Sequence, residues 1–178
     1  MSKELVFKLV VSDSGKEKFS ANLSFEMLSN IVSNFPDDKS SNDFLLLAAQ
    51  HPATVVRENV AYKDNLSSEV LELLSKDSSI TVLRNLVSSG AFKENVTQEK
   101  LIDLIKLDTE IALRIANNID SYEQADLSEL ATLISKHEDP SVVANLAQSY
   151  GTPKKILKTL LKHPDPYVSR EARLRLEN

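Results

Sequence analysis

Leu157-Lys158-Thr159-Leu160-Leu161-Lys162-His163-Pro164-Asp165-Pro166-Tyr167-Val168-Ser169-Arg170-Glu171-Ala172 holds the organisation of the chain in sixteen residues. Its first five are apolar at positions one, four and five, the spacing of one helix face. A polar joint with two prolines follows, and then a second amphipathic run begins. Asp165 stands where a carboxylate can accept a free N–H of the coming helix, and Pro166 stands where the missing N–H costs nothing.

The same unit is found further back. Val70-Leu71-Glu72-Leu73-Leu74, Leu101-Ile102-Asp103-Leu104-Ile105 and Leu130-Ala131-Thr132-Leu133-Ile134 share the apolar pattern, and the last residues of the four copies lie 31, 29 and 27 residues apart. Each copy leads to a joint: Lys76-Asp77-Ser78-Ser79, Leu107-Asp108-Thr109-Glu110, and Lys136-His137-Glu138-Asp139-Pro140. Gln50-His51-Pro52-Ala53-Thr54 is an earlier joint of the same kind. Asp77, Asp108, Asp139 and Asp165 are the expected N-caps. The following helices also resemble one another: Val56-Arg57-Glu58-Asn59-Val60-Ala61, Val82-Leu83-Arg84-Asn85-Leu86-Val87, Ala112-Leu113-Arg114-Ile115-Ala116 and Val142-Val143-Ala144-Asn145-Leu146-Ala147.

On these joints, Arg positions and Leu-x-x-Leu-Leu helices, residues 24–178 resemble HEAT-like repeats, closest to the short ones, including the leucine-rich repeat variant. The resemblance implies an all-α fold, a right-handed α-solenoid of helical hairpins, with a concave face that binds a protein partner. It also implies a ladder of Asp and Arg side chains between repeats, for which Asp77 with Arg84, Asp108 with Arg114 and Asp165 with Arg170 qualify. Asp139 lacks its Arg, because Ala144 stands there. The uneven period implies an irregular superhelix.

Residues 1–23 read differently. Leu5, Phe7, Leu9 and Val11 alternate with their neighbours, Asp13-Ser14-Gly15 is a turn signal, and Phe19, Ala21 and Leu23 alternate again. This is the pattern of a β-hairpin. A lone hairpin is marginal in water, so it is expected to cap the first helical repeat, with strand recruitment as the competing role. Residues 24–50 form an atypical first helical hairpin, with Ser24 as its N-cap and Pro36 to Asn42 as its break.

Composition bounds the chemistry. With no cysteine, thiolate catalysis, disulfides and cysteine zinc sites are excluded. None of the three glycines forms a phosphate-binding loop, and no serine has a nucleophile-elbow context. His51, His137 and His163 stand at equivalent joints, a spacing that does not gather metal ligands. Each is expected to close the preceding helix C-terminus. No catalytic residue, metal site or cofactor is expected, and the chain is read as not an enzyme. The apolar run Leu5 to Val11 is too short and too polar for a signal peptide or membrane span, which points to the cytoplasm.

Net charge is −5, divided between −9 in residues 1–150 and +4 in residues 151–178. The outward positions of the Leu-x-x-Leu-Leu helices are the partner-binding candidates: Glu69 and Glu72, Lys100 and Asp103, Glu129, then Lys155, Lys158 and Lys162. They pass from acidic through mixed to basic. The resulting expectation is an interaction scaffold or adaptor for a protein partner. Two alternatives stand beside it: a nucleic-acid-binding or DNA-glycosylase-like HEAT protein, and a small inhibitor or immunity-type protein. The acidic body and the absence of Trp argue against the first. The second rests on size and charge alone.

Overall fold

The computed structural model describes residues 6–177. Among them are one two-stranded antiparallel sheet and twelve short α-helices, and no helix is long and apolar enough to cross a membrane. Contacts divide the chain into two compact units, Met1–Ser89 and Gly90–Asn178.

In the first unit, β1 (Lys8–Asp13) and β2 (Lys16–Asn22) are joined by Ser14 and Gly15, with φ of 49° and 76°. Positive φ at both central residues makes a turn whose twist suits a hairpin, and glycine adopts it without steric cost. Leu9 pairs with Ala21 and Val11 with Phe19, and a bulge follows Val11. Those four residues share one face of the ribbon.

Every residue of both strands is exposed, including Leu9, Val10, Val11 and Phe19 at about half their surface. The attachment is at the base, where the Leu23 N–H donates to the Phe7 carbonyl at 2.8 Å. The Phe7 ring meets Phe44 edge-on at 6.1 Å and His51 at 5.9 Å.

The helices of this unit are α1 (Phe25–Asn34), α2 (Asn42–Ala48), α3 (Thr54–Ala61), α4 (Ser68–Leu74) and α5 (Ile80–Leu86). Ser24 caps α1 as expected, its side chain accepting from the Met27 N–H. Helices α1, α3 and α5 pack in a row, while α2 and α4 pack on each other and against α3 and α5 respectively. So α1 belongs beside α3, and the hairpin partner of α2 is α3 across the His51 joint.

The second unit contains α6 (Gly90–Asn95), α7 (Gln98–Leu107), α8 (Thr109–Asn117), α9 (Leu127–Ile134), α10 (Pro140–Gln148), α11 (Lys154–Leu160) and α12 (Pro166–Glu177). Here α8, α10 and α12 form one row and α7, α9 and α11 another, joined through α7 with α8, α9 with α10 and α11 with α12. The sequence pattern missed α6, where Ala91 and Phe92 are buried.

The core repeats position by position. Val56 and Val60, Val82 and Leu86, Ile111 and Ile115, Val142 and Leu146, and Val168 and Ala172 are each fully buried four residues apart. Each large aliphatic side chain so buried contributes about 1.5–3 kcal/mol. One register differs from the sequence reading. Leu160 is buried and Leu161 is 37% exposed, so the fourth copy aligns as Ile156 to Leu160. The step from Ile134 to Leu160 is then 26 residues, equal to the step from Ala48 to Leu74.

Polar rungs tie neighbouring helices of a row. The Asn59 amide donates to the Ser29 carbonyl at 3.0 Å and hydroxyl at 2.7 Å, and the Ser89 hydroxyl donates to the Lys63 carbonyl at 2.7 Å. In the second unit, Ser149 donates to the Asn117 carbonyl at 3.3 Å. Lys63 is buried, and its Nζ donates to the carbonyls of Ser33 and Phe35 at 3.0 and 2.7 Å. A cation there meets the negative end of α1.

The strongest rung is ionic. Arg57 Nε and Nη2 donate to the Asp77 carboxylate at 2.6 and 3.0 Å, with side chains only 13% and 7% exposed. Arg57 Nη1 also donates to the carbonyls of His51 and Pro52, at 2.9 and 3.0 Å. Asp77 is therefore held by the Arg of the preceding hairpin, not by Arg84. Of the expected pair Asp165 with Arg170, the arginine instead binds Glu171 at 2.7 Å, and Arg114 meets Glu110 on its own helix at 3.1 Å. Asp165 accepts from the Tyr167 and Val168 N–H groups.

Two outcomes follow for stability. Removing either partner of the buried pair, by Arg57→Ala or Asp77→Ala, is expected to cost about 2–4 kcal/mol in denaturant unfolding. Replacing residues 8–22 by a short glycine linker is expected to cost about 1 kcal/mol or less, because every residue of the two strands is exposed. Loss of the helical circular dichroism signal in that deletion would show that the hairpin is a cap.

Candidate interaction faces and the joints behind them

The joints fix which face each Leu-x-x-Leu-Leu helix turns outward. In three of them the histidine does two things. Its backbone N–H donates back to the preceding helix, His51 to Ala48, His137 to Ile134 and His163 to Leu160, each at 3.0 Å. Its Nδ1 accepts from the N–H two residues ahead, at Ala53, Asp139 and Asp165, each at 3.1 Å. The backbone thus closes the helix as expected, but the ring acts forward as an acceptor, which leaves the ring proton on Nε2.

Asp77 occupies the histidine position of its joint, five residues before Val82 as His51 is five before Val56. Its carboxylate accepts from the Ser79 N–H at 2.8 Å. Asp77 is therefore not the N-cap of α5, where Ser79 stands. Asp108, Asp139 and Asp165 do cap their helices, accepting from Ile111, Ser141 and Tyr167 at 3.0, 2.8 and 2.8 Å. Burial opposes ionisation of Asp77, yet the Arg57 guanidinium and the Ser79 N–H outweigh it and hold the carboxyl below the ordinary value. Burial pushes His51 below its ordinary value, and the Arg57 charge adds to the effect.

With the joints set, Glu69 and Glu72 are exposed on α4 in the first unit. Glu72 pairs with Lys76 at 2.7 Å on an open helix face, where such a pair contributes little. In the second unit Asp103 and Glu129 are exposed on α7 and α9, while Lys100 is half-buried. These residues are not brought into a shared cavity.

The three lysines of the last copy are. Lys155, Lys158 and Lys162 line one open groove of about 760 Å³ with Ser135, Thr159, Leu160, His163 and Pro164. Spacings of three and four residues put the lysines on one side of α11 and its last turn. Sequence periodicity finds those lysines, but Ser135 enters only through the packing of α11 on α9. A smaller cavity of about 380 Å³ in the first unit is lined by Ser33, Asp37, Asn59, Tyr62 and Lys63. Among the described residues, no group of three His, Asp or Glu side chains is arranged to hold a metal ion.

The joint chemistry carries a sign for pH. A histidine whose folded pKa is depressed stabilises the fold fully above its unfolded value of about 6.5, and that stabilisation is lost as the pH falls through it. The melting temperature is therefore expected to drop on acidification below about 6.5. His51→Asn keeps an acceptor and is expected to flatten that dependence, whereas His51→Ala is expected to cost about 1 kcal/mol at neutral pH. An unchanged pH profile in His51→Asn would remove His51 as the source.

Compared with protein-family models, curated proteins and solved structures, the chain matches none.

Proposed function

We propose that this chain is a non-catalytic interaction scaffold, built as a right-handed α-solenoid of short HEAT-like hairpins, that binds a protein partner. The binding surfaces are the outward faces of α4 in the first unit and of α7, α9 and α11 in the second. One observation carries the reading: equivalent positions of successive hairpins do equivalent work. Val56, Val82, Val142 and Val168 are buried at the same step after the joint. His51, Asp77, His137 and His163 accept the same backbone bond. Repetition of this kind spends the repeated chemistry of each hairpin on stacking and leaves the opposite face free for a ligand. The charges on those faces are of the kind that orient a protein partner and set its association rate.

Affinity capture from the native lysate, with and without nuclease, tests this. A protein retained through nuclease treatment and lost from Glu72→Lys, Asp103→Lys or Lys158→Glu variants is the expected result. Capture that depends on nucleic acid, or that ignores all three substitutions, would overturn it.

A further inference from the structure

The positive charge of the last hairpin is concentrated and uncompensated. Among the described residues, none of the ammonium groups of Lys155, Lys158 and Lys162 is paired, and no carboxylate lines their groove. Elsewhere the contrast is plain: Lys76 is paired with Glu72, and Lys63 is satisfied by two carbonyls. The hydroxyls of the groove spend their hydrogens on helix carbonyls, Ser135 on Thr132 at 2.9 Å and Thr159 on Lys155 at 3.2 Å. The free donors are thus the three lysines and, with Nδ1 engaged as an acceptor, the Nε2–H of His163. Like charges at this spacing on one helix repel, so an anionic occupant relieves a cost the free protein bears.

We propose that this groove binds a carboxylate-rich segment of a protein partner, an inference that rests on the interaction reading above. The lysines extend over about 10 Å of helix, the reach of about three residues of extended chain. The volume of about 760 Å³ falls within the range of ordinary ligand clefts. An acidic peptide is favoured over nucleic acid on two grounds. No Phe, Tyr or Trp lines the groove to offer a broad stacking platform for a base. Within the second unit, residues 90–150 carry −6, which repels a long polyanion while leaving a short segment free to reach the +4 of residues 151–178.

The test uses the full chain and a fluorescein-labelled oligoglutamate peptide, read by anisotropy at low ionic strength. The wild type is expected to bind, with affinity falling as salt is added. Lys158→Glu/Lys162→Glu is expected to lose about tenfold or more in affinity, while Lys16→Glu/Lys18→Glu on the hairpin, with the same change of net charge, loses about twofold or less. Both variants are checked for unchanged helical circular dichroism. The inference is overturned if the wild type does not bind the peptide, if both variants lose equally, or if oligothymidylate of matching charge binds more tightly. Absence of peptide binding together with nuclease-resistant capture that depends on Glu72 or Asp103 would end this inference and leave the scaffold reading intact.

Discussion

No helix among the described residues exceeds the twelve of α12, and most have seven to ten. Helices shorter than about 12–15 residues do not hold themselves in water. Every element therefore depends on its neighbours in the row. The fully buried pairs Val56 with Val60 and Val142 with Leu146 are apolar expressions of that dependence. The Asn59 and Ser149 rungs are its polar expressions, fixing the height at which one helix sits against the next. Aliphatic packing alone allows sliding; a hydrogen bond to one particular carbonyl does not.

Arg57 gathers these requirements into one side chain. One nitrogen serves two carbonyls of its own joint, and two others serve the carboxylate of the next. Its length is used along with its charge, since the donors of a guanidinium form a planar fork that can face a carboxylate and a backbone turn together. The Asp77 carboxylate is shared in turn with the Ser79 N–H, so the geometry of one joint is copied onto the following one. Buried pairing of this kind carries more positional information than stabilisation.

Much of this was legible from residue order. The alternating strands, the Asp-Ser-Gly turn, the four Leu-x-x-Leu-Leu helices and three of the four Asp caps follow from period and turn chemistry. The rest was hidden for definite reasons. Leu160 and Leu161 are both leucines, and only contact with the neighbouring helices decides which is inside. Asp77 resembles the capping aspartates in its residue type, but its place is that of a histidine, since either side chain can accept the same N–H. Lys63 is invisible as a buried residue because its partners are main-chain carbonyls with no sequence signature. The hairpin was read correctly as a hairpin, but periodicity tells which residues share a face and not whether anything covers it. Of the proposed faces, the lysine positions were readable, whereas their convergence with Ser135 needed the stacking of α11 on α9.

The uncovered ribbon of β1 and β2 has a further consequence for the behaviour of the protein at high concentration. Its outer backbone edges offer unpaired donors and acceptors to any extended chain they meet, and Leu9, Val10, Val11 and Phe19 supply the apolar surface that rewards such contact. What stands against runaway polymerisation is the ring of charge at its ends and tip, Lys8, Asp13, Lys16, Glu17 and Lys18, together with the bulge that twists the ribbon after Val11. These residues act as gatekeepers. Neutralising all five charges would leave every contact of the helical rows in place and yet remove the gatekeepers, which separates the solubility of this molecule from its folding stability.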